Sequence, residues 1–192
     1  MAKVKGKQEA KEHEPGSDPK VLYKNYLQAC DAIGIQHFPP LKHILTNEEN
    51  PNIGTQIVVV GEGNSVLGPG GCRALVNAMI GKPNATTTTI APFTATKEIR
   101  IIRCNLQDGG AAAIAKLLFA TAGRKCINTA GDGATLPPEW KLDYLELMDN
   151  DISRDGAMVL GRSLSVGVSQ PTFVLIYCSS TCDYCFVFII TM

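Results

Sequence analysis

Three histidines, His13, His37 and His43, are the chain's whole supply of the side chain most used in acid–base catalysis, and none lies beyond residue 43. No carboxylate–histidine–nucleophile order stands out, and no two histidines fall at metal-ligand spacing. Cys182-Asp-Tyr-Cys185 has the CxxC spacing of a zinc half-site, but no second pair or nearby histidine completes it. The run from Asp149 to Leu160 superficially resembles a calcium loop. It carries Arg154 where the sixth-position glycine is required and Leu160 where the bidentate glutamate belongs. Residues 55 to 81, TQIVVVGEGNSVLGPGGCRALVNAMIG, read as strand, Gly-rich loop and helix, the shape of a phosphate cradle. The loop lacks the Lys-Ser/Thr pair of a P-loop. Val66 stands where a dinucleotide fingerprint needs its third glycine, and no acidic residue lies near position 80. These residues point away from catalysis, from a metal and from a cofactor. A nucleotide-binding α/β domain using Gly61 to Gly71 is the alternative.

The elements around these residues follow a period. In KLDYLELMDNDISRDGAMVLGRSL, residues 141 to 164, the apolar residues alternate at Leu145 and Leu147. After Asn150 and Ile152 they adopt helical spacing at Ala157, Leu160 and Leu164. A switch of period from 2 to 3.6 predicts a strand, a tight turn and a helix. The same order occurs earlier. Ile99, Ile101, Cys104, Leu106, Gly110, Ala111, Ile114 and Leu118 match Leu145, Leu147, Asn150, Ile152, Gly156, Ala157, Leu160 and Leu164 position by position. Upstream, Leu67, Gly71, Cys72, Leu75 and Met79 match the turn and helix, with residues 57 to 60 as the strand. Downstream, Phe173, Leu175 and Cys178 match Leu145, Leu147 and Asn150 with a 28-residue step. One such unit cannot bury its own apolar face and needs copies on either side.

The pattern resembles the leucine-rich repeat, LxxLxLxx(N/C)xL followed by a helix. The Asn/Cys alternation and the Gly-Ala or Gly-Cys helix opening are similar to the ribonuclease-inhibitor subtype. The resemblance covers about residues 55 to 180. It implies an α/β fold: a short right-handed solenoid, parallel strands inside and helices outside. It also implies a non-catalytic scaffold that binds a protein partner. A structural subunit of a larger assembly, such as a ciliary scaffold, is a further reading, since several proteins of this repeat type are found there. Two departures are plain. The step is 39 residues from Leu67 to Leu106 and 46 from Leu106 to Ile152, so extra loops fall between helix and next strand.

Composition sets the frame. The chain has 192 residues, zero formal net charge and 45% apolar residues, enough for one core without a basic field for nucleic acid. The start carries no secretory signal, and seven cysteines are an odd number, so free thiols in a reducing, cytoplasmic compartment are expected. Residues 1 to 20 are charged and Pro-containing and are expected to form a disordered arm. Residues 21 to 54 carry Leu22, Tyr26, Cys30 and Ile33 on one helical face and serve as an N-terminal helical cap. Residues 55 to 167 hold the repeats, with inserted loops at 82–96 and 123–140. Residues 168 to 192 are a partial fourth repeat and an atypical apolar tail. From 172 to 192 the tail approaches the length of a membrane span, but the polar run in its middle argues against an anchor.

The strand residues that flank the inward positions are the candidate partner contacts. In the second unit they are Glu98, Arg100, Ile102 and Arg103; in the third, Tyr144, Glu146, Met148 and Asp149. In register, Arg100 falls beside Glu146 and Arg103 beside Asp149. This is either a charge ladder that fixes the sheet or a mixed-charge binding surface. Cys104, Asn150 and Cys178 are expected to face inward beneath the turn and satisfy backbone groups there.

Overall fold

In the computed structural model the described residues are 16–81, 92–121, 142–166 and 173–177. They form an α/β fold of five helices and one open, four-stranded parallel sheet with strand order β1-β2-β3-β4. The chain runs α1 (Pro19–Ile33), α2 (Pro40–Thr46), β1 (Gln56–Val60), α3 (Gly68–Ile80), β2 (Glu98–Ile102), α4 (Gln107–Thr121), β3 (Tyr144–Met148), α5 (Arg154–Val166) and β4 (Phe173–Tyr177). Each strand pairs with the next in sequence, and α3, α4 and α5 pack in the same order.

The register follows from burial. Ile57, Ile99, Leu145 and Val174 form one inward row; Val59, Ile101, Leu147 and Ile176 form the next. All eight are at most 1% exposed and join the helices' apolar residues in a single core. A one-residue slip would turn every one of them outward, so burial of one face fixes the pairing.

The helix openings repeat one packing device. A Cβ built on Gly71 would lie 2.9 Å from Leu67 Cδ1, one on Gly110 2.7 Å from Leu106 Cβ, and one on Gly156 2.8 Å from Ile152 Cγ2. The glycine lets the first helical turn close onto the last apolar residue of the preceding turn. Asp108 adds a tie between units. Its carboxylate accepts from the backbone N–H (2.8 Å) and hydroxyl (2.6 Å) of Ser153, just before α5. A carboxylate there complements the positive end of the helix.

The first two helices lie at the β1 end of this stack. Helix α1 packs on α3, and α2 against α1 and β1. Tyr26, fully buried, accepts a hydrogen bond from the Phe38 N–H (2.9 Å), fixing the α1–α2 connection. Gly34 ends α1 at φ 73°, in the left-handed conformation glycine adopts at little cost.

Two expectations are corrected. The end of the N-terminal arm is ordered: Asp18 caps α1 by accepting from Lys20 N–H (2.8 Å), Pro19 is buried in its first turn, and Gly16 O accepts from Thr94 N–H (3.0 Å). Composition over 20 residues concealed an Asp-Pro helix start. The remainder of the arm, residues 1–15, lies outside the described residues. The second correction is the phase of β4. Val174 and Ile176, not Phe173 and Leu175, stand beside Leu145 and Leu147. FVLIY is apolar throughout, so alternation carries no phase information. Cys178, residues 82–91 of the first inserted loop, the second inserted loop at 123–140 and the apolar tail after Tyr177 lie outside the described residues.

Candidate interaction face

Opposite the core, the sheet presents three cross-strand rows. They are Gln56–Glu98–Tyr144, Val58–Arg100–Glu146–Leu175 and Val60–Ile102–Met148. Neighbouring parallel strands lie roughly 4.8 Å apart, so residues within a row are lateral neighbours.

The first two rows hold a connected polar network. Gln56 Nε2 donates to Glu98 Oε2 (2.6 Å). Arg100 Nε donates to Glu98 Oε1 and stands 3.7 Å from Glu146 Oε2. Tyr144 OH donates to the same Glu146 oxygen (3.3 Å), and the Arg100 guanidinium carbon sits 4.6 Å from the Tyr144 ring centre. Glu146 is only 7% exposed, covered by these partners, whereas the Arg100 side chain keeps 40% of its surface. The hydrogen bond from Arg100 to Glu98 holds the guanidinium above its usual pKa. Partial burial, then the charge of Glu146, pushes the Tyr144 phenol up.

The third row is apolar. Val60 is 37% exposed, and Ile102 and Met148 are half-buried beside it. Val58, at 38%, extends the apolar surface along β1. Such a band beside a charge network resembles the core-and-rim anatomy of protein interfaces.

The sequence-derived contacts divide as follows. Arg100, Ile102, Tyr144, Glu146 and Met148 lie together on this face, with Arg100 paired to Glu146 as the register requires. Arg103 and Asp149 do not join them as an ion pair. Both follow the last paired strand position and turn left-handed, at φ 52° and 53°. The repeat match identified the outward residues of the second and third units. It left out Gln56, Val58 and Val60, although Ile57 and Val59 as inward residues would have exposed their phase.

Beneath the turn, Asn150 is fully buried. Its Oδ1 accepts from Cys104 N–H (2.9 Å), and its Nδ2 donates to Ile101 O (2.6 Å) and Met148 O (3.0 Å). One unit earlier, Cys104 Sγ contacts Val59 O (3.8 Å) and Ile102 O (3.3 Å), the same pair of carbonyls shifted by one unit. Cysteine offers a donor there but a poor acceptor. The acceptor is supplied otherwise. Glu62, three residues beyond Val59 as Cys104 is beyond Ile101, donates its N–H to Ser65 O (3.1 Å) within the longer Gly-rich turn. The insertion that breaks the spacing of the first unit thus takes over half of the asparagine's work.

That Gly-rich segment engages its own amides. Gly61 N–H donates to Ile102 O (2.8 Å) and Gly68 N–H to Cys104 O (2.9 Å). Among the described residues no group of three or more His, Cys, Asp or Glu side chains is placed to hold a metal ion. No helix among them is long and apolar enough to cross a membrane. No protein-family model matches the chain, and no curated protein matches it.

Proposed function

We propose that the chain is a leucine-rich-repeat interaction module of the ribonuclease-inhibitor-like subtype. It binds a protein partner through the sheet face away from the helices and has no catalytic role. The observation that carries this reading is the cross-unit ladder in which Asn150 and Cys104 serve equivalent carbonyls of successive strands. The repeated glycine over Leu67, Leu106 and Ile152 supports it, as does the sequential strand order. The partner would meet Val60, Ile102 and Met148 as apolar anchors, with Arg100 as the exposed polar group beside them.

The test is affinity capture from the protein's native cells with the parent chain and with a Val60→Asp/Met148→Asp double variant. Both substitutions fall at partly exposed positions, so circular dichroism should find the fold intact. A partner recovered by the parent and lost with the variant supports the reading. One recovered equally by both refutes it. Titration with ATP, GTP and NAD should yield no saturable binding. Micromolar binding dependent on residues 61–71 would favour the nucleotide-binding alternative.

A further inference from the structure

The stack is closed at one end and open at the other. At the first end, α1 packs on α3 and α2 on β1. At the last, β4 pairs with β3 and with no other strand among the described residues. Its sequence, FVLIY, contains neither a charge nor a proline, the residues that keep a bare edge from pairing.

Helix α5 is bare on the same side. Each earlier helix turns one flank towards its successor. Cys72 Sγ of α3 reaches Gly110 O (3.7 Å), and Asp108 of α4 holds Ser153 ahead of α5. Counted from the opening glycines Gly71, Gly110 and Gly156, that flank carries Val76 in α3, Ala115 in α4 and Gly161 in α5. Val76 and Ala115 are 1% and 2% exposed, whereas a Cβ built on Gly161 would meet nothing within 4 Å. Arg154, Met158, Gly161 and Ser165 share the flank at i, i+4, i+7 and i+11. Arg154, Met158 and Ser165 are exposed, Met158 by 43%.

We propose that this end is the interface of a two-fold dimer, its occupant a second copy of the chain. The surface is what one unit offers the next, a strand edge beside a helix flank, so a unit of the same kind fits it. The second copy cannot supply its first unit, because α1 and α2 cover that end. It supplies its last, and a last-to-last contact is isologous and closed by a two-fold axis. One axis normal to the sheet serves both layers. It sets β4 antiparallel to its counterpart, making the sheet continuous through both copies, and α5 antiparallel to its own. In that order each Met158 falls opposite the other copy's Gly161, a flexible side chain over a position that has none. Each Arg154, at the start of α5, falls at the other copy's last turn, which carries no basic residue of its own. The carbonyl end of a helix favours a cation there. The interface uses the edge of the sheet and not its face, so this proposal and that of a partner on the face stand or fall separately.

Sedimentation equilibrium of the full chain, loaded from about 1 to 100 µM, tests the dimer. The mass should rise with concentration from 20.6 kDa and level at twice that value. Met158→Glu and, separately, Gly161→Glu should weaken association at least tenfold with the circular dichroism spectrum unchanged. Val21→Glu, at an exposed position of α1 at the opposite end, should associate as the parent does. The proposal is overturned by a chain that stays monomeric, its end covered by its own residues 178–192 instead. It is also overturned by a mass that climbs past the dimer, by association that survives both flank variants, or by Val21→Glu weakening it as much as they do.

Discussion

Replacing Asn150 by alanine removes three hydrogen bonds from a fully buried position. The losses are unequal. Met148 O retains a donor, because it also accepts from Arg103 N–H (2.9 Å). Ile101 O loses a contact of 2.6 Å but has a second lone pair. Cys104 N–H loses its acceptor. An unsatisfied buried group costs about 1–3 kcal/mol, so one stranded amide and one weakened carbonyl come to roughly 2–4 kcal/mol. The other substitutions at this position should rank by the same inventory. Asn150→Cys restores a donor toward the carbonyls, as Cys104 does one unit earlier, and should cost less than alanine. Asn150→Asp keeps the acceptor for Cys104 N–H but sets a carboxylate oxygen against two carbonyls, and should cost more. Equilibrium urea unfolding measures all three, with the midpoint shift converted at constant slope. If Asn150→Ala unfolds within about 0.5 kcal/mol of the parent, a range typical of inconsequential surface changes, the ladder is not what holds successive turns together.

Two further outcomes can be measured on the same preparation. Gly110→Ala should destabilise by roughly 1–3 kcal/mol, since its Cβ would sit 2.7 Å from Leu106 Cβ in a closed core. Gly161→Ala in α5, where a Cβ meets nothing within 4 Å, should stabilise by about 0.5–1 kcal/mol. Thermal melts should move in opposite directions; parallel movement contradicts the packing described. Alkali is the other perturbation. Burial pushes the Cys72 thiol from 9.0 up to about 12 and raises Cys104 and Tyr26 as well. Folded-state values above unfolded ones mean that these groups' contribution is complete below about pH 9 and is lost as pH rises toward the folded values. Denaturation midpoints should therefore fall between pH 9 and 12, and Cys72→Ala should flatten that slope. An unchanged slope would show that Cys72 does not titrate with unfolding.

Legibility in the sequence tracked how much each segment alternated. For β2 and β3, polar residues between the inward ones, Arg100 between Ile99 and Ile101 and Glu146 between Leu145 and Leu147, fix phase and register from the sequence alone. In β4 no polar residue breaks the apolar run, and the repeat spacing points to a phase one residue away from the observed one. The side-chain ladder was legible because Asn150 and Cys104 hold matching positions. The compensating Glu62–Ser65 turn was not, because its hydrogen bond is between backbone groups that carry no sequence signature. Conversely, the capped start of α1 was written in Asp18-Pro19 and was hidden only by averaging over a charged arm.

Recognition by the sheet face is open to a direct test. A photo-crosslinking p-benzoylphenylalanine placed at Met148, and separately at the exposed outer position Ala112 of α4, tests it in the native cell. The prediction is a discrete protein adduct from position 148 and none from position 112. An adduct from 112 with none from 148 would contradict it.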